Sequence, residues 1–104
     1  MDTNEQLIRE IVDRILGITN PRKIILFGSA AVGMMTSESD LLVIEDDFTS
    51  PRKESIRLRK ALSGLGLPVD IFAMTSERFD ETKDVIGGLA YPAHRYGKVI
   101  YEAS

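Results

Sequence analysis

Three short apolar runs constrain this chain more than any other feature. They are Ile24-Ile25-Leu26-Phe27, Leu41-Leu42-Val43-Ile44, and Val69 to Met74, the last interrupted only by Asp70. Each is too short for a buried helix, and each is bounded by turn-forming or charged residues, so each reads as a buried β-strand.

The segments between them have helical character. Thr3 and Gln6 have the spacing of a capping box ahead of Leu7, Ile8, Ile11, Val12, Ile15 and Leu16, which recur at helical period. Gly17 suits the stop, and Asn20-Pro21 makes a turn. Between Ser29 and Gly33 the spacing allows one or two helical turns. A helix is expected from Pro51 to about Ser63, with proline at its start and Gly64 and Gly66 beyond its end. Leu58, Ala61, Leu62 and Leu65 supply its buried side, and Phe48 is expected to anchor the preceding loop. Thr75-Ser76-Glu77 opens a short helix that Gly87-Gly88 breaks. A last helix over Tyr91–Tyr96 admits Pro92 only in its first turn. Lys98–Tyr101 then forms an edge strand. The order predicts an α/β (α+β) chain, a small mixed sheet with helices packed mainly on one face.

The 104 residues suit one domain spanning 1–104. A net charge of −3 gives no global positive field to hold nucleic acid, although a nucleotide could still be held by a few local donors. Cysteine is absent, which removes disulfides, thiolate metal sites and a cysteine nucleophile. The polar, acidic start MDTNEQLIRE has no signal-peptide character, and no apolar run is long enough to span a bilayer. The expectation is a soluble cytoplasmic protein with no membrane partner.

Three features carry chemistry. Gly28-Ser29 closes the first strand; glycine there lets backbone approach a ligand, although Gly-Ser also makes ordinary turns. Glu38-Ser39-Asp40 enters the second strand, and residues two apart in extended chain face the same way, so both carboxylates can converge on one hard cation such as magnesium. A solvated acidic loop would have the same sequence. Asp70 lies within an apolar strand, where a carboxylate needs pairing, hydrogen bonds, a metal, or a water-facing edge. Lys53, Arg57 and Lys60, with Arg52 and Arg59 nearby, read as a solvated helix face. The lone histidine, His94, reads as structural or exposed. Met34 and Met35 read as local packing or a partner surface.

Taken together, LFGS (26–29), Gly33, the acidic pair before LLVI, and VDIF (69–72) resemble the minimal nucleotidyltransferase family, a compact form of the DNA polymerase β nucleotidyltransferase fold. The segments SIRLRKALSGLGLPVD (55–70) and GGLAYPAHRYGKVIYE (87–102) resemble it as well. The resemblance implies that Gly28 and Ser29 hold a nucleotide triphosphate. It implies that Glu38, Asp40 and Asp70 hold two magnesium ions (Mg2+), one of them beside Asp70 lowering the pKa of an acceptor hydroxyl. Asp40 and Asp70 would then be the catalytic carboxylates. The implied reaction is in-line transfer of a nucleoside monophosphate, most plausibly AMP from ATP, to a hydroxyl.

Members of this size are commonly antitoxins that adenylylate a tyrosine on a HEPN-domain ribonuclease toxin, so a HEPN-domain partner is implied, and a homo-oligomer is open. The chain departs from the family pattern in three places. Glu38 stands where aspartate is usual, the loop before it is shorter, and Ala30, Ala31 and Val32 replace the turn arginine. An alternative alignment puts Ser39-Asp40 on the family's first serine-aspartate and deletes the second aspartate. The corresponding alternative function is a binding module that neutralises a partner by occlusion. Transfer to a small molecule such as an aminoglycoside lacks an acceptor-binding domain.

Overall fold

The computed structural model describes residues 3–28, 39–66 and 69–104. Its elements in chain order are α1 (Thr3–Leu16), β1 (Lys23–Gly28), β2 (Ser39–Ile44), α2 (Pro51–Ala61), β3 (Asp70–Met74), α3 (Ser76–Thr82), α4 (Ala90–Tyr96) and β4 (Lys98–Glu102). The three apolar runs are β1, β2 and β3. The turns expected between Ser29 and Gly33, and the packing expected of Met34 and Met35, lie outside the described residues.

Local chemistry explains most boundaries. Ser50 caps α2 by accepting from the Lys53 backbone N–H at 3.3 Å, with Pro51 in the first helical position. Thr75 caps α3 in the same way, accepting from Arg78 at 3.2 Å. Pro92 is the third residue of α4, inside its first turn, where its missing N–H leaves no intrahelical bond unmade.

The strands form one mixed sheet in the order β3-β2-β1-β4. β1 is antiparallel to both β2 and β4, while β2 and β3 are parallel and joined through α2. The expected edge position of β4 is met. Its register slips opposite Ile24/Ile25, an irregularity of the kind that twists an edge strand and discourages further pairing.

Alternation along the strands divides the apolar residues between two faces. Ile24, Leu26, Leu41, Val43, Ile71 and Ala73 meet Ile11 and Ile15 of α1 and Leu58 of α2, with Leu62 just beyond. Phe48 packs against this cluster from the loop, as its sequence context predicts. On the opposite face Ile25, Phe27, Leu42 and Ile44 meet Phe79 of α3 and Ala90 and Ala93 of α4. The two long helices thus take one face as expected, and the short α3 and α4 cover the other. Double coverage explains why β1 and β2 are continuously apolar rather than alternating.

Gly97 shows how closely α4 sits on the sheet. A Cβ there would lie 2.3 Å from the Ala93 carbonyl oxygen and 2.5 Å from Cγ2 of Ile25. Gly97→Ala is therefore expected to destabilise the fold by about 1–3 kcal/mol through overpacking. A urea-unfolding midpoint equal to wild type would contradict this packing.

Candidate active site

β2 and β3 begin side by side, and their first acidic residues are register partners: Asp40 pairs with Asp70 across the parallel ladder. Asp40 shares its side of the sheet with Leu42 and Ile44, and Asp70 shares it with Phe72 and Met74, so the two carboxylates project to the same face. Asp40 is partly buried and Asp70 exposed. Burial, and secondarily the negative charge of Asp70, raise the Asp40 carboxyl above the usual aspartate range.

Gly28 completes the same corner of the sheet. It ends β1 opposite Ser39, next in register to the Phe27–Asp40 pair. Its φ of 77° lies in the left-handed region, where a Cβ is strained, so this position favours glycine. Ser39 itself is fully buried. Ser29 and Glu38 lie outside the described residues. Of the candidate site residues, the structure therefore gathers Gly28, Asp40 and Asp70.

Sequence reading placed Arg59 only near a solvated face. From the last turn of α2 its Nη2 comes within 3.6 Å of Asp70 Oδ1, with the two side chains 60% and 63% exposed. At that exposure the pair contributes at most about 1 kcal/mol to stability. Its relevance is electrostatic, since it sets a positive charge beside the carboxylate pair. Next to it a cavity of about 340 Å³ opens between α2 and β3, lined by Arg59, Lys60, Leu62, Val69 and Ile71. Val69 and Ile71 alternate with Asp70, so this cavity belongs to the opposite side of the sheet from the carboxylates.

The other conspicuous polar residues belong to the scaffold. Asp46 accepts from the Ser76 backbone at 2.9 Å, from the Ser76 hydroxyl at 3.1 Å and from Arg22 Nε at 3.1 Å. The Ser76 backbone bond leads the effects that hold Asp46 below the usual carboxylate range. Arg57, expected on the solvated face, is instead tied to Glu54 and to the carbonyl of Ile18. His94 is exposed and meets Phe79 edge-on, with ring centroids 6.0 Å apart.

Among the described residues no three His, Cys, Asp or Glu side chains converge as a metal site. The pair Asp40–Asp70 nevertheless has the right donor chemistry for a hard divalent cation. Burial and the facing charge of Asp70 both disfavour the ionised Asp40 carboxyl, a penalty that a bound cation would offset. The effect is measurable without any ligand. Asp70→Asn should bring the Asp40 titration point down, yet leave it above the ordinary aspartate value because burial is the larger cause. Carbon-13 NMR of the Asp40 carboxyl checks this, and an unchanged titration point would mean the two groups do not interact.

A search among curated proteins finds no match to the chain. A family profile does match: that of the nucleotidyltransferase domain, over residues 5–88, which takes in most of α1, all of β1 to β3, and both Asp40 and Asp70. The matched span, the mixed sheet and the paired strand-end carboxylates agree, and the chain belongs to the nucleotidyltransferase domain family.

Proposed function

We propose that this domain binds a nucleoside triphosphate, ATP, with magnesium at the Gly28–Asp40–Asp70 corner, and transfers the nucleoside monophosphate to a hydroxyl acceptor. The observation that supports it most is the in-register pairing of Asp40 with Asp70 beside the left-handed turn at Gly28.

In this reading Asp40 and Asp70, together with Glu38, would hold the metal. When bound, magnesium would neutralise phosphate charge and acidify the acceptor hydroxyl. Gly28 leaves room for backbone near the triphosphate, where Ser29 would donate to phosphate oxygen. Asp70, the more exposed of the pair, faces the side from which an acceptor can arrive. Arg59 contributes positive charge next to Asp70, in a chain that lacks the family's turn arginine.

The acceptor proposed is a hydroxyl on a partner protein, in the manner of an antitoxin acting on a HEPN-domain toxin. A second reading, neutralisation of such a partner by occlusion, is favoured by the apolar segment between α3 and α4. There Val85 is 56% exposed, Ile86 80% and Leu89 37%, more apolar surface in one short segment than solubility requires.

Calorimetric titration with ATP, with and without magnesium, tests the first reading. Binding is expected to require magnesium and to weaken at least about tenfold in Asp40→Ala, equivalent to about 1.4 kcal/mol. Absence of binding at millimolar nucleotide would overturn the free-standing transferase and leave the occlusion reading.

A further inference from the structure

At the end of the sheet away from Asp40 and Asp70, a second pair of acids is buried. Glu45 directly follows β2, and its backbone N–H donates to the Met74 carbonyl at 2.9 Å. The residue is only 1% exposed. Its Oε2 accepts from the Thr19 hydroxyl, in the turn between α1 and β1. Glu54 lies in the first turn of α2, its side chain 8% exposed, and accepts from Arg57 Nη1 at 2.9 Å. Arg57 also donates to the carbonyl of Ile18, beside Thr19.

As a fully ionised set this cluster does not balance. Glu45 Oε1 is buried with no donor reaching it. The acid that neighbours Glu45 is Glu54, and two ionised carboxylates have no proton between them. Two buried negative charges would also face one arginine, itself 51% exposed. A single proton on Glu45 Oε1 resolves both problems. It donates to Glu54, giving the orphan oxygen a partner, and it leaves one carboxylate for one guanidinium. Of the other charged groups at this end, Lys53 and Asp47 line an open cavity of about 500 Å³ with Glu54 and Arg57 and are themselves exposed, while Asp46 is held by Ser76 and Arg22.

We propose that Glu45 and Glu54 share one proton below neutral pH, and that this proton is a latch fastening the turn after α1, the end of β2 and the start of α2. The Glu45 carboxyl is accordingly pushed up to about 7, first by burial and then by Glu54. The latch therefore opens near neutral pH. The folded state holds a proton that the unfolded chain gives up near the ordinary glutamate value of 4.5. The contribution of this pair to stability is thus greatest below that value, falls as pH rises toward about 7, and levels off above it.

Urea unfolding of the protein at a series of pH values, beside Glu45→Gln, tests the proposal. The glutamine amide can donate to Glu54 in place of the shared proton. Wild type is expected to show an unfolding equilibrium constant that rises by up to about tenfold per pH unit on approaching neutrality. Glu45→Gln should lack that one-proton component and be at least as stable as wild type at alkaline pH. Equal pH slopes in the two proteins would overturn the latch. Carbon-13 NMR of glutamate carboxyls in the wild type decides the matter even if the variant does not fold. One carboxyl titrating near neutrality supports the proposal, and every glutamate titrating in the ordinary range refutes it.

Discussion

In-register parallel pairing of β2 with β3 is the constraint on which the rest of the structure depends. In such a ladder, side chains of equal parity stand side by side, so Leu42 meets Phe72 and Ile44 meets Met74 on the face covered by α3 and α4. The same alignment obliges Asp40 to stand beside Asp70. A slip of one residue would turn apolar side chains of one strand toward the wrong cluster, so the core that holds the sheet also fixes the carboxylate pair. The electrostatic penalty is bearable because the pair sits where the strands begin. There Asp70 reaches water and Arg59 supplies positive charge.

The two ends of the sheet treat acidic residues in opposite ways. Beyond the ends of β2 and β3, Asp46 is saturated by Ser76 and Arg22, and Glu45 is enclosed with Thr19 and Glu54. These acids join α1, β2, α2 and α3 to one another. At the starts of β2 and β3 the acids fasten nothing comparable. Asp40 is partly desolvated against a like charge, and Asp70 meets a solvent-exposed arginine. Acids that structural bonds satisfy belong to the scaffold, whereas neighbouring acids left in mutual repulsion have the character of a binding site.

Much of this was legible in the sequence for identifiable reasons. The runs at Ile24, Leu41 and Ile71 announce buried strands because residues covered on two faces have no polar positions to alternate with. Asp70 announces itself because an acid inside such a run needs a reason. Gly28 is legible as a strand-ending glycine, and its φ of 77° is one that favours glycine. The pairing of Asp40 with Asp70 was less legible, since strand register depends on contacts distant in sequence. Glu54 and Arg57 look like an ordinary exposed helical pair. Only the packing of α2 against Ile18 and Thr19 buries Glu54, and no local pattern encodes that contact. The covering of the second face by α3 and α4 was obscured in the same way, because short helices with few apolar residues carry little periodicity.

The central claim is that the acidic corner at the starts of β2 and β3, rather than the one beyond their ends, receives a divalent cation. Manganese titration followed by paramagnetic broadening of backbone amide signals tests it most directly. The account predicts that signals from Gly28, Asp40, Asp70 and their strand neighbours broaden first, and more so with ATP present. Broadening centred on Glu45, Asp46 and Asp47, or none beyond uniform background, would contradict it.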